Sequence, residues 1–408
     1  MNMRKFGCLT AALLLSGCAV QPQNSSAPAP RAVVVTAAAE LQQLPPFNSN
    51  LFEAYVGVTT EDELFALTAE QQADFLDDFH TKFAHLPVNE RIAEYLHSIT
   101  FGFNYKEQTY TASEALTRSA GNCMALAIVT QSLARLVEVD LRFQRVNNAP
   151  VYDRSANVVM VSDHVRARLY KPGETTSWVT VDYFPARESR NGDLVNQQEF
   201  LALYYRNRAA ELMLDGEQSA AFAYAKEALR YQPLDSDALN IIALLHRRAG
   251  DETTAEAIYA FVLTRDNTNL NVLYNYLELA KKQQRPTLIA QLQEQINQLP
   301  DYNPYTWIAL AERAYAEDDL ATAIRMYEKA ASYAPYLHEV YWGQARLYLE
   351  LGRPLTAKRI LREGLAEARR SATKKSFKAG WYSFEDPVIQ KSRTKCGFLK
   401  FVSLVNVA

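Results

Sequence analysis

A thiol, an imidazole and a carboxylate follow one another in an order that could support nucleophilic chemistry. Cys123 lies in the segment Gly-Asn-Cys-Met-Ala-Leu-Ala, His164 follows 41 residues later, and Asp182 follows after 18 more. A cysteine nucleophile needs a base to take its proton, and that base works best when a third group orients it. The three residue types therefore predict covalent catalysis through Cys123, with His164 as the base and Asp182 as the orienting carboxylate.

The residues around Cys123 predict the start of a buried helix. The run from Cys123 to Val137 contains no glycine or proline and is largely apolar. Asn122 is a favourable N-cap, which makes Cys123 the first helical residue. The unpaired N–H groups and the helix dipole at that position would lower the pKa of a thiol and could hold an oxyanion. The alternative is an inert cysteine that is buried as a small apolar side chain.

His164 and Asp182 lie in two segments whose residues alternate between apolar and polar, which is typical of β-strands. A Lys-Pro-Gly-Glu turn separates the two segments. If the hairpin is centred on Gly173, His164 lies directly opposite Asp182 with their Cβ atoms roughly 5 Å apart, and Arg168 lies opposite Trp178. A slip of one residue would place the imidazole and the carboxylate on opposite faces. The alternative is a surface hairpin whose charges have no joint role.

These segments together resemble the transglutaminase-like superfamily, whose members have a papain-like cysteine fold. The resemblance covers about residues 50–200 and includes segment 112–116 upstream of the Gly-Asn-Cys at 121–123. It implies an α+β domain with N-terminal helices, a central cysteine helix and an antiparallel sheet. It also implies acyl transfer at amides, as in a peptidase, an amidase or a crosslinking enzyme, with the three residues in the roles given above. Tyr105 and Tyr110 are candidates for the aromatic oxyanion partner that the resemblance implies. Other members have lost the three residues and act as binding domains, so a non-catalytic domain is the alternative.

The N-terminus predicts an exported lipoprotein. Residues 1–17 combine a basic start, a short apolar core and small residues, which is typical of a signal peptide. Leu-Ser-Gly-Cys resembles the bacterial lipobox, which implies that Cys18 is lipidated after cleavage, and Ala19 favours sorting to the outer membrane with the folded part facing the periplasm. An ordinary signal peptide cleaved nearby is the alternative. Residues 18–46 are rich in Ala, Pro, Gln and Ser, which predicts a disordered tether.

The cysteine count bears on disulfide bonding, and the net charge bears on the class of binding partner. Of the four cysteines, Cys8 leaves with the signal peptide and Cys18 is lipidated, so only Cys123 and Cys396 remain. This predicts no disulfide framework, although a single bond between these two stays open. The formal net charge is −3 with 22% charged residues, which gives no reason to expect a nucleic-acid partner. No glycine-rich phosphate loop and no metal-ligand spacing occurs, so we predict no cofactor and no metal.

The second half of the sequence repeats every 34 residues over five units, from residue 202 to 371. The fourth position of each unit is large and apolar: Tyr205, Leu239, Leu273, Trp307 and Tyr341. The fifteenth position is Gly216, Gly250, Gln284, Asp318 and Gly352. This pattern resembles the tetratricopeptide repeat (TPR), a two-helix hairpin that stacks into an all-α solenoid. Another helical-hairpin solenoid is the alternative.

The repeats predict a role as well as a fold. A stacked array presents a concave surface, which predicts a peptide or protein partner, and a purely structural support for the front domain is the alternative. We therefore place a front domain of the α+β class at 47–200 and an all-α array at 202–371. Residues 372–408 depart from the repeat and have no predicted structure.

Overall fold

The computed structural model describes residues 43–368 except 101–102, 107, 156–157 and 182–190, and it also describes 406–407. The predicted signal peptide, the lipidation site Cys18 and the first part of the tether lie outside these residues. So do Asp182, Cys396 and all of the tail except 406–407. The predictions made for them therefore stay predictions.

The helical part of the front domain has five helices whose starts are encoded locally. They are α1 (Glu61–Phe65), α2 (Ala69–His80), α3 (Val88–Thr100), α4 (Ala112–Arg118) and α5 (Cys123–Leu136). Helices α1, α2 and α4 each begin with a capping box, formed by Thr60 with Glu63, Thr68 with Gln71, and Thr111 with Glu114. A capping box supplies partners to N–H groups that the helix itself leaves unpaired, so it fixes where the helix begins.

The strands of the front domain form one small pair and one larger sheet. The pair is β1 (Asn104–Tyr105) parallel to β2 (Ala120–Gly121), and the larger sheet consists of β3 (Leu141–Ser155), β4 (Val158–Tyr170), β5 (Trp178–Val181), β6 (Asn191–Val195) and β7 (Asn406–Val407). Four of the larger sheet's strands are antiparallel neighbours in the order β5-β4-β3-β6, and β7 pairs parallel with β4. The front domain thus has the helices and the antiparallel sheet of the predicted α+β class.

The register of the β4–β5 hairpin differs from our prediction by two residues. Arg168 lies opposite Thr180, and Trp178 lies opposite Tyr170. The reason is the turn, because the Lys171 N–H bonds to the Ser177 carbonyl at 3.0 Å and so moves the centre of the hairpin by one residue. The predicted direct opposition of Arg168 and Trp178 is therefore wrong. The predicted cation–π contact between them is nevertheless present, with the guanidinium 4.5 Å from the ring centroid, because diagonal neighbours on one face can also touch.

The predicted array of five helical hairpins is confirmed. The ten helices are α6 (Gln197–Leu214), α7 (Gln218–Tyr231), α8 (Ser236–Arg248), α9 (Glu252–Leu263), α10 (Leu270–Lys282), α11 (Pro286–Asn297), α12 (Pro304–Ala316), α13 (Leu320–Tyr333), α14 (His338–Glu350) and α15 (Pro354–Ala368). Helix α6 begins five residues before the predicted start at 202, because Asn196 and Glu199 form a capping box there. The first helix of the array is thereby long enough to reach into the front domain.

The turn inside each hairpin has the same geometry in all five units. The fifteenth position has a positive φ in every case: Gly216 86°, Gly250 89°, Gln284 54°, Asp318 63° and Gly352 68°. The residue after it donates its N–H to a carbonyl five residues earlier, as from Glu217 to Leu212 and from Asp319 to Ala314, both at 2.9 Å. This is the Schellman ending of a helix, which requires a left-handed residue and therefore favours glycine. Two units adopt it without glycine.

The first segment of the front domain, residues 47–59, lies on the first two hairpins. The Phe52 ring stacks on Phe222 of α7 with 4.1 Å between ring centroids. The Asn48 N–H donates to Nε2 of His246 at 3.1 Å, and the Tyr205 hydroxyl donates to the Thr59 carbonyl at 2.8 Å. These contacts join the front domain and the start of the array into one body.

The hydrophobic core falls into two separate clusters. The first runs from Phe52 to Ile296 and includes the front domain together with the first three hairpins. The second runs from Tyr305 to Leu361 and includes the last two hairpins. The division follows the third unit, whose twentieth position is Ile289, whereas the other four units have alanine at that position. The core therefore does not divide near residue 202, where the repeat pattern starts.

Candidate functional site

Cys123 is the first residue of helix α5, as the sequence predicts. The side chain of Asn122 accepts a hydrogen bond from the Ala125 N–H at 2.9 Å, so Asn122 is the N-cap. The helix that follows is apolar and mostly buried, and it packs against β4 of the sheet. Burial of that helix fixes its axis, and the cap fixes its first turn.

The thiol of Cys123 is free and half-buried, although the residues that follow it in the helix are buried. The alternative of an inert core cysteine predicts a fully buried side chain, which this is not. A half-buried thiol at the first position of a helix lies beside the positive end of the helix dipole and can still be reached from outside. The position is suited to a nucleophile.

Gly121 allows the chain to pass close to the first turn of helix α5. Its φ is +151°, and a Cβ atom at this residue would lie 2.7 Å from the Ala125 Cβ and 3.5 Å from the Tyr110 ring. Only glycine fits this combination of backbone angle and space. Of the two tyrosines proposed as oxyanion partners, Tyr110 thus packs beside the residue that precedes the N-cap. Of Tyr105 only the backbone is described, in β1.

A chain of hydrogen bonds holds the amide nitrogen of the N-cap residue Asn122, while its amide oxygen caps helix α5. The Asn122 Nδ2 donates to Oγ1 of Thr109 at 2.7 Å. The Thr109 hydroxyl and backbone N–H both donate to Oε1 of Glu211, at 2.6 and 2.8 Å. Thr109 is only 2% exposed. We call these three residues the cap network. Glu211 belongs to α6, so the network connects the start of the cysteine helix to the first hairpin of the array.

Glu211 is in turn paired with Arg208, one turn earlier on α6. Burial raises the pKa of the Glu211 carboxyl, and the hydrogen bonds from Thr109 and the charge of Arg208 oppose that rise. The Arg208 guanidinium lies 6.0 Å from the ring centroid of Tyr224 on α7. The charge on Glu211 is therefore compensated within the first hairpin.

The described residues do not place the side chains of His164 and Asp182 beside the thiol of Cys123. The backbone of His164 lies in β4 opposite Val146 of β3. The buried residues Val165, Ala167 and Leu169 of the same strand belong to the core that also contains α5. Of the His164 side chain nothing is described, and Asp182 lies outside the described residues. The predicted triad therefore stays a prediction, and the register from which we predicted the direct opposition of His164 and Asp182 is not the one observed.

Two arginines next to His164 on β4 share one glutamine. Oε1 of Gln144 accepts hydrogen bonds from Arg166 at 2.8 and 2.9 Å and from Arg168 at 3.1 Å. The Gln144 Nε2 donates to the Gly192 carbonyl at 2.8 Å, which ties β3 to β6. This polar network orders the face of the sheet on which our alternation pattern places His164.

The sequence matches no protein-family model, and it matches no curated protein. Among solved structures, MamA is 16% identical over 42% of this chain and 94% of its own, with a TM-score of 0.27. PilF of Pseudomonas aeruginosa is 16% identical over 47% of this chain and 94% of its own, with a TM-score of 0.31. YrrB, a TPR protein with an unusual peptide-binding site, is 16% identical over 45% of this chain and 94% of its own, with a TM-score of 0.24. Likenesses of this size carry no argument, and the hairpin architecture rests on the helices themselves.

Within the part of the chain that the structure describes, no three side chains of His, Cys, Asp or Glu gather as metal ligands would. Over the same residues, no helix has both the length and the apolar character that crossing a bilayer requires.

The sequence identified the cysteine and its cap but missed the residues behind them. Thr109 and Glu211 are 102 residues apart, and neither lies in a recognisable motif. The one available signal was Asn122 itself, because an N-cap amide uses its oxygen for the helix and leaves its NH₂ group in need of an acceptor.

Proposed function

We propose that this protein carries out acyl transfer at amide bonds of peptides or proteins, with Cys123 as the nucleophile. The observation that supports this best is the half-buried thiol at the first residue of a buried, capped helix. Helix starts of this kind stabilise a thiolate and can hold an oxyanion with their N–H groups. His164 is the base and Asp182 the orienting carboxylate in this proposal, in line with the resemblance to the transglutaminase-like superfamily.

The chemistry proceeds in two steps. The Cys123 thiol passes its proton to His164, and the thiolate sulfur attacks the carbonyl carbon of the amide. The tetrahedral intermediate collapses to a thioester when the C–N bond breaks, and His164 returns its proton to the leaving amine. Water or a second amine then gives a proton to His164 and attacks the thioester carbonyl, the C–S bond breaks, and His164 passes that proton to the sulfur, which regenerates the thiol. Water as acceptor gives a peptidase or amidase, and an amine gives a crosslinking enzyme.

We propose a location for this activity from the N-terminal sequence alone. The lipobox-like segment ending at Cys18 and the Ala19 that follows favour a lipid anchor in the bacterial outer membrane, with the folded part facing the periplasm. The tether at 18–46 then separates that anchor from the point near Asn48 where the chain contacts the array. Mass spectrometry of the membrane-extracted protein tests this directly, since a Cys18→Ser variant should lose both the acyl chains and the membrane association.

A second function, the binding of a protein or peptide by the array, is favoured by one surface feature. Tyr302 is 52% exposed, and its ring meets Tyr333 at 5.5 Å between centroids. The Lys329 ammonium lies 3.5 Å from the ring centroid of Trp307, which also contacts Tyr333. Aromatic groups of this kind are enriched at protein interfaces. If the front domain has no catalytic activity, this surface supports the alternative of a non-catalytic scaffold, in which the front domain and the array only bind partners.

The experiment that tests the enzyme proposal measures the labelling of Cys123 by iodoacetamide. The rate is followed by peptide mass spectrometry from about pH 4 to 10, and an activated thiol should titrate well below the free-thiol value of about 8.5. The His164→Ala variant should lose that shift, because an imidazolium partner stabilises the thiolate. The Cys396→Ser variant serves as the control and should behave as the wild type. An ordinary titration that His164→Ala leaves unchanged contradicts the proposal and favours the scaffold.

A further inference from the structure

We infer that Thr109 and Glu211 are positioning residues for Cys123, so that the first hairpin of the array sets the geometry of the thiol site in the front domain. This inference rests on the proposed function of Cys123. It assigns a role to Glu211, which lies 88 residues beyond the cysteine in the chain and outside the domain that carries it.

The direction of each hydrogen bond in the cap network follows from the carboxylate at its end. An ionised carboxylate only accepts, so both donors of Thr109 point towards Oε1 of Glu211. With its own hydrogen used in this way, Oγ1 of Thr109 has lone pairs free to accept from the Asn122 Nδ2. The amide of Asn122 is thus fixed with its NH₂ group towards Thr109 and its oxygen towards the helix.

That amide orientation determines how α5 begins. The Asn122 Oδ1 accepts from the N–H of Ala125, the third residue of the helix. A reversed amide would direct an N–H donor at another N–H donor, and the cap would be lost. The N–H groups of Cys123 and Met124, at the first two positions, have no partner within the helix and are the ones available to a thiolate or an oxyanion. The cap network therefore stabilises the turn that presents them.

The cap network joins the front domain to the array and buries a carboxylate, and a cap formed only by neighbouring residues requires no such burial. Thr109 is buried, and Glu211 is mostly buried with its side chain 14% exposed. Burying a carboxylate is unfavourable unless hydrogen bonds and an opposite charge compensate it. The charged and titratable groups that face Glu211 are Arg208 and Tyr204, both on α6, and Tyr224 of α7 interacts with these two residues. At another Asn cap of the array, Asn269, the amide nitrogen donates instead to the neutral hydroxyl of Ser236 at 3.3 Å.

The test uses the full mature chain and two variants of the network. Thr109→Val removes the hydroxyl, Glu211→Gln removes the charge and replaces one accepting oxygen by an NH₂ group that donates, and Thr109→Ser restores the hydroxyl. The matched controls are Thr130→Val, a buried threonine in α5 itself, and Glu256→Gln, a paired carboxylate of the array. Two readouts are taken: the pH profile of Cys123 labelling, and amide hydrogen exchange at Ala125.

We expect both network variants to move the labelling midpoint of Cys123 towards the free-thiol value, by about one pH unit, which is roughly a tenfold loss of thiolate at a pH below both midpoints. Exchange at Ala125 should accelerate by roughly tenfold in the same variants. Thr109→Ser should recover both values, and the two controls should leave them unchanged. A merely structural role would lower stability in network and control variants alike without a selective change in the labelling profile. If Glu211→Gln does not fold, the Thr109 pair still decides the question.

The outcomes separate the two proposals. A wild-type profile like that of a free thiol overturns the acyl-transfer proposal, and the exchange at Ala125 then decides the positioning role by itself. Selective loss of protection in Thr109→Val and Glu211→Gln supports the network. Unchanged exchange and unchanged labelling in both variants overturn it, whatever the wild-type profile is.

Discussion

The two hydrophobic clusters of this protein differ in how they are assembled. The second cluster consists only of neighbouring hairpins, α12 to α15, and its contacts repeat along the sequence. The first combines three hairpins with a sheet, a buried helix and the extended chain around Phe52, and its contacts join residues more than a hundred positions apart. Stability in a repeat array is a sum of neighbouring interfaces, whereas the first cluster must form as one unit.

The junction between the clusters is polar. The Tyr274 hydroxyl donates to the Asp301 carboxylate at 2.7 Å, and the Trp307 indole N–H donates to the Asp301 carbonyl at 3.0 Å. Hydrogen bonds fix an orientation but contribute less stability than an apolar interface of the same size. We therefore expect the last two hairpins to unfold separately from the rest of the protein.

The largest effect should come from Phe200→Ala, which tests whether the front domain and the first hairpin are one unit. The Phe200 ring stacks on Phe143 of β3 with 3.8 Å between centroids, and it also meets Phe65 of α1. Removing it should lower the free energy of unfolding by about 3–5 kcal/mol. Hydrogen exchange should accelerate in β3 and in α6 together, while α14 is unaffected.

The matched control for that prediction is Leu347→Ala in the second cluster, where Leu347 is fully buried. We expect a loss of about 2–5 kcal/mol that is confined to α12–α15. A uniform acceleration of exchange over the whole chain in either variant would show that the two clusters are not separate units.

A smaller effect is expected from Gly343→Ala, which tests close packing inside the second cluster. A Cβ atom at Gly343 would overlap the ring of Tyr327. Overpacking of this kind should lower the free energy of unfolding by about 1–3 kcal/mol, measured by denaturant titration. Adding Tyr327→Leu should make the alanine nearly neutral, since the two residues are in contact and their effects are not additive. Simple additivity of the two substitutions would contradict the steric explanation.

The smallest effects should come from the two hairpin turns that lack glycine. Gln284 has φ 54° and Asp318 has φ 63°, where a side chain is unfavourable. Glycine at either position should raise the free energy of unfolding by roughly 0.5–1 kcal/mol, with the smaller gain at Asp318 because aspartate tolerates this conformation better. Gln284→Gly should stabilise the first cluster and Asp318→Gly the second. The reverse substitution Gly250→Ala is the control and should destabilise, and a loss of stability on adding glycine would contradict the turn argument.

The sequence allowed the array and the cysteine helix to be predicted for the same reason. Both depend on short-range patterns: a fixed period for the hairpins, and Asn122 followed by an apolar run for α5. The β4–β5 register was predicted two residues off, because the number of residues that the turn uses depends on the bond between Lys171 and Ser177. The early start of α6 was also missed, although Asn196 and Glu199 together form a recognisable capping box.

The sequence by itself thus determined the helical hairpins and the place of Cys123 at a helix start. Each of these follows from residues that are close together in the chain, where propensity, capping and periodicity act. Only the tertiary structure decided that Glu211 of the array supports the cap at Asn122 and that the core divides after the third hairpin. Contacts of this kind join residues that are far apart in sequence, and such pairings depend on how the elements pack rather than on any pattern in the chain.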